Sequence, residues 1–432
     1  MGTILLKNAT AISFNPISVE VCDLRVCGDR ITARGPRLTP TSEDEVIDLT
    51  GKLLLPGLVC AHTHLYSSLA RGMPAPKQTP HNFHEILKYI WWRLDRALDE
   101  DTIYWSAIAG GLEAIRAGST TIIDHHASPG CISNSLGIIK EALGVLGLRS
   151  VLCYEVTDRG GEAERNMGLM ENWYALDSSG GLFRALVGAH ASFTISPETM
   201  QLIADLAREF DCGVHIHVAE DRLDLEDART RYQKTLVERL GDGGLLRPGS
   251  ILAHCTHLDS KALRLASATG CWLVHNPRSN MNNSVGYAQV SEFGPRAALG
   301  TDGIGADMFE EAKFAFYKSR DAHQPLSAES IVNLLWGGQR LVSELFKDTL
   351  DQLWVGAAAD LVVLDYFSPT PLNSQNFAWH LIYGLSSAQV DSVMVAGKFL
   401  LREHSFQTAD STQVAEKARL AAEQLWNKME SL

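Results

Sequence analysis

Two histidines separated by a single residue, His62 and His64, are the first side chains along the chain that point to chemistry. They follow the apolar run Leu53–Cys60, which is typical of a strand buried on both faces. Residues i and i+2 of a strand point the same way, so both imidazoles can reach one ligand. Burying them side by side requires a metal or hydrogen bonds to satisfy their nitrogens, which favours a metal. Because His-x-His is short and common, two ordinary loop histidines are the alternative for this tripeptide alone.

The other histidines are concentrated where predicted strands end. In a barrel of parallel strands, the carboxyl ends open on one face, where the connecting loops form the active site. Histidines scattered through a core would show no such preference, so the pattern predicts that these side chains converge. Of the 15 histidines, ten lie at or just after such an end: His62, His64, His125, His126, His190, His215, His217, His254, His257 and His275.

The middle of the chain alternates between β-rich and amphipathic segments, which predicts an α/β fold, a (β/α)8 TIM barrel. A doubly wound open sheet fits the same alternation. No Gly-x-Gly-x-x-Gly or Walker-type loop follows a predicted strand, which weakens a nucleotide-binding version of that sheet. The predicted strands are Leu53–Cys60, Thr120–Asp124, Ser150–Val156, Ala185–Ala189, Gly213–Val218, Ser250–Cys255, Cys271–His275 and Ala297–Gly300. The predicted helices include Thr102–Ala117, Leu136–Leu146, Pro197–Glu209, Tyr232–Leu240 and Lys261–Ala268.

Both ends of the chain contain short β runs separated by turn residues, which predicts a small β-sandwich domain built from the two ends. We expect residues 1–54 and 355–432 to form this domain, with a terminal helix in the second segment. Residues 55–354 would then be an inserted barrel. The long connection Leu65–Leu94 is expected to cover the mouth of the barrel as a lid. Its adjacent Trp91 and Trp92 suit either stacking on a planar ring or ordinary packing.

Composition limits the classes of partner. The 432 residues carry a net charge of −13, which argues against nucleic acid and anionic membrane. No apolar run is long enough to cross a bilayer, and the amino terminus does not read as a secretory leader. The eight cysteines form no Cys-x-x-Cys pair or compact framework, which favours a reducing, cytoplasmic setting. A small-molecule ligand fits these observations best.

Four motifs follow predicted strands and together resemble the amidohydrolase superfamily. The branch is that of guanine deaminase, cytosine deaminase, S-adenosylhomocysteine deaminase and the triazine chlorohydrolases, and the chain is most similar to the SsnA-type aminohydrolases. The resemblance covers nearly the whole chain and implies the barrel with the split β domain. The motifs are His62-Thr63-His64, His215-Ile216-His217-Val218-Ala219-Glu220, Ala253-His254-Cys255-Thr256-His257 and Leu299-Gly300-Thr301-Asp302-Gly303.

The resemblance implies a metal centre. His62, His64, His217 and Asp302 would bind one divalent ion, with Zn²⁺ as the first choice and Fe²⁺ as the alternative. Three neutral nitrogens and one carboxylate suit either ion, and a remaining position for water is what a catalytic site needs. Such a metal makes hydroxide available near neutral pH.

The resemblance also implies catalytic roles for Glu220, His254 and Asp302. We expect hydroxide to attack a ring carbon that bears an exocyclic amine, while Asp302 accepts the water's proton. Glu220 would protonate the adjacent ring nitrogen and His254 would stabilise the oxyanion, after which ammonia leaves. A glutamic acid that donates a proton at pH 7 needs a raised pKa, which burial provides. A surface carboxylate is the alternative for Glu220.

Five residues are predicted to contact the substrate: His190, Arg71, His125, His126 and Asn280. His190 matches a substrate-contacting histidine of the family. For His125 and His126, contact with substrate and support of the metal ligands are equally open. Arg71 and Asn280 fit local hydrogen bonds in the lid and loops equally well.

The leading function is therefore metal-dependent hydrolytic deamination of a purine-like or pyrimidine-like heterocycle, by a protein that is expected to be a homodimer. Displacement of chloride or an alkylthio group from a triazine shares the metal ligands and stays open. Opening of a cyclic amide is the reaction of the similar dihydropyrimidinases, which use a two-metal site bridged by a carboxylated lysine at the end of strand 4. No lysine lies between Lys140 and Lys234, which disfavours that subclass. A non-catalytic scaffold is the remaining alternative, although every expected ligand is present.

Overall fold

The computed structural model describes residues 2–432 and shows a mixed α/β fold in which one nine-stranded sheet joins the two ends of the chain. Its strand Leu53–Pro56 pairs antiparallel with the strand Leu361–Leu364, so that Leu54 lies opposite Val363. This pairing explains why both ends of the chain read as short β runs. Numbered in chain order, the strands of this sheet are β1 (Thr3–Phe14), β2 (Ile17–Cys27), β3 (Arg30–Gly35), β4 (Asp44–Asp48), β5 (Leu53–Pro56), β15 (Leu361–Leu364), β16 (Val390–Val395), β17 (Lys398–Arg402) and β18 (Ser405–Phe406).

The remaining strands form two parallel sheets, one of four strands and one of five. The first sheet contains β6 (Leu58–Thr63), β7 (Ser119–His126), β8 (Arg149–Tyr154) and β9 (Phe183–Ala185). The second contains β10 (Val187–Ala191), β11 (Val214–Val218), β12 (Ile251–His254), β13 (Trp272–His275) and β14 (Ala297–Leu299). Every residue of β11 is buried, as expected for a strand covered on both faces.

Isolated parallel bridges connect the two parallel sheets at both edges. Thr63, at the end of β6, pairs with Asp302, just beyond β14. Val156, just beyond β8, pairs with Ala189 of β10. The carboxyl ends of the parallel strands are thereby held close together, which is the arrangement that the histidine pattern requires.

Amphipathic helices connect most of the parallel strands. In the helix Pro197–Glu209, Ser196 caps the first turn by accepting from the Thr199 N–H, and the apolar residues Met200, Ile203 and Ala207 lie on one buried face. The helices are α1 (Phe83–Ile86), α2 (Trp92–Ala97), α3 (Glu100–Arg116), α4 (Ser135–Leu146), α5 (Gly161–Asp177), α6 (Pro197–Glu209), α7 (Arg222–Tyr232), α8 (Leu236–Asp242), α9 (Ser260–Ala268), α10 (Pro277–Asn282), α11 (Met308–Asp321), α12 (Ala328–Phe346), α13 (Phe377–Tyr383) and α14 (Ser411–Ser431).

The predicted first strand, Leu53–Cys60, is wrong as a single element. The chain divides it at Gly57, so that β5 joins the nine-stranded sheet and β6 begins the four-stranded parallel sheet. A Cβ on Gly57 would lie 2.1 Å from Thr120 Oγ1, so only glycine fits this close approach to β7. The apolar run was continuous because both halves are buried, which hides the break from a periodicity argument.

The predicted helix Tyr232–Leu240 is also wrong as a single element, although its second half is helical in α8. Helix α7 ends before Gln233, whose φ of 54° is left-handed, and α8 begins after the capping residue Thr235. Thr235 and Glu238 form a capping box, a start signal that lies inside the predicted helix. Among the described residues, no helix is both long and apolar enough to span a bilayer.

Candidate metal centre and active site

His62 and His64 lie at the carboxyl end of β6 and converge on one carboxylate. Their Nε2 atoms lie 3.4 Å and 2.9 Å from Asp302 Oδ1. His217, near the end of β11, places its Nε2 3.2 Å from His64 Nε2. One potential ligand atom from each of His62, His64, His217 and Asp302 lies within 4.8 Å of the other three. The structure thus brings all four predicted metal ligands together.

The second nitrogen of each imidazole is held by a neighbouring strand. His64 Nδ1 donates to the carbonyl oxygen of His125 at 2.5 Å, and His217 Nδ1 donates to that of His190 at 2.8 Å. His62 Nδ1 lies 2.9 Å from Nε2 of the buried His215. These contacts orient the rings and leave each Nε2 facing the common centre, as in metal sites whose ligands are positioned by outer hydrogen bonds.

The residues present fit a divalent cation. His62 Nε2 is buried and has no hydrogen-bond partner within residues 2–432. Burying such an atom without a partner is costly, and a metal ion would satisfy it. Three nitrogens with one carboxylate form a donor set suited to Zn²⁺ or Fe²⁺.

The electrostatics of His62 and His217 agree with this interpretation. Burial lowers the pKa of His62 to about 4 and that of His217 well below its usual value, so both are neutral at pH 7, as metal ligands must be. Burial alone would lower the pKa of His64, but its hydrogen bond with Asp302 raises it to about 9. Metal binding would displace the proton shared by His64 and Asp302.

Sharp turns at the strand ends bring the polar side chains to the centre. Ala219 after β11, His254 at the end of β12 and Asp302 after β14 have φ angles of 49°, 72° and 53°. Left-handed backbone in a residue other than glycine costs of order 1–3 kcal/mol and is concentrated at functional sites. Asp302 is also held by Ser279, which donates to its Oδ2.

Glu220 and His254 form a second polar pair beside the metal ligands. Glu220 Oε2 lies 3.6 Å from His254 Nε2, and Asn283 Nδ2 donates to Glu220 Oε1 at 3.3 Å. His254 Nδ1 donates to Asn280 Oδ1 at 2.8 Å, which leaves its Nε2 facing Glu220. Burial raises the pKa of Glu220 to about 7, with the charge of Asp302 adding to the effect and that of His254 opposing it. A carboxyl group in this state can hold a proton at neutral pH and deliver it.

A cavity opens onto the metal centre. His64, His217, Asp302 and Glu220 line it. The predicted lid segment Leu65–Leu94 contributes five further lining residues. Two of them, Leu87 and Trp91, belong to a π-helical turn at Leu87–Trp91, a local irregularity often found at functional sites. The aromatic lining residues are Tyr66, Phe83, Trp91, Trp92 and Phe193. Such faces suit a flat ring.

The five predicted substrate contacts divide into one that lines the cavity and four that do not. His190 lines it and donates or accepts through Nδ1 at 2.8 Å from Thr194 Oγ1. His125 and His126 are buried outside the lining, where the carbonyl of His125 orients His64. Asn280 positions His254, and the exposed Arg71 is paired with Glu113 at 2.7 Å.

The model of the Amidohydrolase family matches residues 53–400 of the chain. The chain belongs to the amidohydrolase family. The resemblance that the four motifs indicated is therefore confirmed. A 5-methylthioadenosine/S-adenosylhomocysteine deaminase from Desulforudis audaxviator is 30% identical over an alignment of 441 positions, gaps included, which covers 98% of this chain and 99% of that protein.

Two solved structures share the fold of this amidohydrolase. An adenosine deaminase from Xanthomonas campestris with bound zinc has a TM-score of 0.86 and 22% identity, and each chain is covered to 98%. An atrazine chlorohydrolase from Arthrobacter aurescens complexed with zinc has a TM-score of 0.84 and 22% identity, with 97% of this chain and 100% of that chain covered.

Several site residues of this amidohydrolase were not found from its sequence. Ser279 and Asn283 lie on and just after α10 and contact Asp302 and Glu220. Their only signal was the polar run that follows β13. Asp95, buried in the cavity wall, lies in α2 beyond the predicted lid. A carboxylate on a short helix gives no sequence signal of burial, because only the packed structure removes it from water.

Proposed function

We propose that this amidohydrolase hydrolytically removes an exocyclic amino group from a purine-like or pyrimidine-like heterocycle and releases ammonia. The observation that carries this proposal is the position of Glu220, which lines the same cavity as Asp302 and has a pKa near neutrality. The deaminase from Desulforudis audaxviator, at 30% identity over almost the full length, supports the same reaction class.

We propose that His62, His64, His217 and Asp302 hold one divalent ion, Zn²⁺ in the first place and Fe²⁺ as the alternative. When bound, the ion would lower the pKa of a coordinated water towards neutrality and so supply a nucleophile near pH 7. Zinc in the two structural relatives supports this assignment.

The side chains around the centre supply the proton transfers. Asp302 accepts the proton of the attacking water on an oxygen that also faces His62 and His64. Glu220 donates its proton to the ring nitrogen next to the attacked carbon and, as a carboxylate, carries the hydroxyl proton of the adduct to the leaving amine. The proton held by Asp302 then returns to Glu220 for the next turnover. His254, oriented by Asn280, contacts the oxygen that attacks the ring and stabilises the charge that it develops.

Displacement of chloride from a triazine is the second candidate, because the chlorohydrolase from Arthrobacter aurescens shares the fold over nearly its whole length. At 22% identity, the similarity between this chain and the chlorohydrolase shows a shared fold only. Chloride release and ammonia release are measured separately, so one set of assays distinguishes the two reactions.

We also propose the architecture that such an enzyme requires. The two parallel sheets, bridged at both edges, would close into one barrel over residues 55–354. It would have eight strands if β9 and β10, which only Leu186 separates and which replace the single predicted strand Ala185–Ala189, are counted as one. Residues 1–54 and 355–432 would form a small β-sandwich domain, supported by a separate apolar cluster that includes Leu24, Leu54 and Leu361. The enzyme is proposed to be a cytoplasmic homodimer that acts on a small molecule.

The test is ammonia release from a panel of aminopurines, oxopurines and aminopyrimidines by the zinc-loaded protein, with chlorotriazines in a parallel chloride assay. We expect at least one amino-substituted ring to give ammonia and the matching oxo product in equal amounts. Chloride release in the absence of any ammonia would replace the deaminase proposal by the second candidate. Product without loss of an amino group or of chloride would contradict both.

A further inference from the structure

The lid segment is held by few contacts, although it supplies five residues of the cavity lining. Of residues 71–93, Phe83 alone has a buried side chain. Within residues 2–432, the side-chain hydrogen bonds that leave this range run from Arg71 to Glu113 and from two further cations to the end of α14. Segments with little buried surface open easily, so the contacts with α14 help to decide where the aromatic lining lies.

Helix α14, the last helix of the chain, places one narrow apolar face against this part of the molecule. Its buried residues include Ala421 and Leu425, and the partly buried Trp426 and Met429 continue the same face at helical spacing. The face packs against α2, α3 and the 3₁₀-helical turn Leu65–Ala70. The end of α14 therefore contacts both the beginning of the lid segment and the helix in which the segment ends.

Trp426 ties α14 to the beginning of the lid segment. Its Nε1 donates to the carbonyl oxygen of Leu69 at 2.8 Å. Leu69 belongs to the same 3₁₀-helical turn as Tyr66, whose side chain lines the cavity, and this turn directly follows His64. A tryptophan in such a position contributes both a packed ring and a hydrogen bond, so two different substitutions can separate the two contributions.

Two cations of the lid segment bind the carboxyl end of α14. Lys77 Nζ donates to the carbonyl oxygen of Glu430 at 3.1 Å, and Arg93 donates to that of Met429. The last four carbonyl groups of a helix have no partner within the helix, and the helix dipole favours positive charge at this end. The end of α14 thus also holds the middle and the end of the lid segment.

The π-helical turn Leu87–Trp91 has residues on both sides of the lid segment. Two of them line the substrate cavity, whereas Tyr89 and Ile90 line a separate cleft together with Trp426. A displacement of Trp426 would therefore reach the aromatic faces of the cavity through a single turn of backbone.

We propose that Trp426 is a positioning residue, which acts through the lid segment to place the aromatic wall on which the heterocycle binds. The inference rests on the proposed function, because it assigns that wall to the substrate ring. The wall would contact the ring equally in the ground state and in the transition state, so its placement affects KM more than kcat. Glu220 and the metal ligands lie at strand ends with hydrogen bonds of their own.

A purely structural role of Trp426 is the competing explanation. In that case the loss of its side chain would lower the stability of the whole molecule. The folded fraction would then keep the wild-type KM, and the lid segment would be no more mobile than the rest of the chain.

The kinetic experiment compares two substitutions of Trp426 in the zinc-loaded full chain. Trp426→Ala removes the ring and the N–H, and we expect KM for the best substrate of the panel to rise roughly tenfold while kcat stays within about twofold. Trp426→Phe keeps a packed ring and loses only the N–H, so its KM should lie between those of the wild type and the alanine variant. A fall in kcat at unchanged KM, or unchanged kinetics in Trp426→Ala, overturns the proposal.

Trp354→Ala is the matched control for the alanine variant. Trp354 is 54% exposed and lies in the connection between α12 and β15. This variant should keep the wild-type KM. A rise in KM equal to that of Trp426→Ala would show that the effect does not come from the contact with the lid segment, and would overturn the proposal.

Hydrogen exchange separates this inference from the proposed function, because it needs no turnover. In substrate-free Trp426→Ala, the amides of Leu65–Ala70 and of the turn Leu87–Trp91 should exchange at least roughly tenfold faster than in the wild type, while those of β11 keep the wild-type rate. This result without ammonia release from any substrate would overturn deamination and support the placement of the lid segment by Trp426. Faster exchange throughout the chain, or unchanged exchange in both turns, would overturn the positioning role.

Discussion

Each histidine of the candidate metal centre depends on the hydrogen bond of its outer nitrogen as much as on the nitrogen that faces the cavity. His64 and His217 are oriented by backbone carbonyls of the neighbouring strands, and His254 is oriented by Asn280. Fixed tautomers follow from these bonds, because the nitrogen that donates to a carbonyl must carry the proton. The site is therefore organised before a ligand binds.

The variant Glu220→Gln tests the role of this residue as proton carrier. The amide would keep the volume of the side chain and the contact with Asn283 but would lose the transferable proton, so kcat should fall by roughly 10²–10⁴-fold. Zinc content should stay at the wild-type level, because Glu220 lies outside the four ligands. The measurements are kcat on the best substrate of the panel and metal analysis.

Glu198→Gln, an exposed carboxylate on α6, is the control for the Glu220 variant and should retain full activity. If Glu220→Gln also retains full activity, Glu220 has no part in the proton transfers.

Asp224 should make folding stability depend on pH. It is buried and accepts from the N–H groups of Ala219 and Phe193 at 2.9 Å and 3.2 Å. Burial raises its pKa to about 7 in the folded protein. Between about pH 4 and 7 the folded state would hold a proton that the unfolded state has lost, so the unfolding free energy falls as pH rises, by at most about 4 kcal/mol.

Urea unfolding of wild type and Asp224→Asn across that pH range measures this effect. The variant should be less stable at low pH, because the asparagine NH₂ cannot accept the second backbone N–H. The difference between the two proteins should shrink as pH rises. A difference that is constant with pH contradicts the raised pKa.

At the scale of elements, the strand ends and the lid segment have different roles in the site. The strands β6, β11 and β12 position the reactive side chains through buried, hydrogen-bonded backbone. The lid segment contributes aromatic faces to the cavity. Its Arg71 anchors the segment to Glu113 on α3 and stays a prediction as a substrate contact. The rigid strands therefore fix the positions of the reactive side chains, and the lid segment provides the faces that would contact the ring.

Gly57→Ala tests the junction between the two sheets. A Cβ there would overlap the side chain of Thr120 on β7, whose own Cβ would be only 2.7 Å away. Neither buried strand can move without breaking its sheet, so we expect a loss of about 1–3 kcal/mol in the unfolding free energy. Urea unfolding monitored by circular dichroism measures it.

Gly144→Ala on α4 is the matched control, because no atom lies within 4 Å of its added Cβ. This variant should be neutral or gain about 0.5–1 kcal/mol from the better helix former. Equal stability of the Gly57 and Gly144 variants would show that the junction tolerates a side chain.

At the scale of the whole molecule, a metal at the centre would tie together strands that are far apart in sequence. His62, His217 and Asp302 come from both parallel sheets and from the loop that bridges their edges. A ligand that binds only the folded state stabilises the entire molecule by mass action.

Removing the metal with a chelator should therefore lower the melting temperature. At a free zinc concentration about 1,000 times the Kd, bound zinc contributes about 4 kcal/mol to the unfolding free energy. Thermal unfolding of the chelated and zinc-loaded protein measures the shift, which His217→Ala should abolish. His81→Ala, an exposed histidine of the lid segment, should retain the shift. Equal shifts in both variants would remove His217 from the ligand set.

The ligand motifs and the alternation of strands and helices were evident in the sequence by itself, because both depend on short-range spacing. His62 and His64 share a strand face, and the capping serine of α6 marks its helix start. Burial and long-range contact were decided only by the tertiary structure. The break at Gly57, the contact of Ser279 with Asp302 and the unpaired oxygen of Asp95 each arise between segments that no local pattern relates. The raised pKa values of Glu220 and Asp224 also depend on the tertiary structure, because only packing removes these side chains from water.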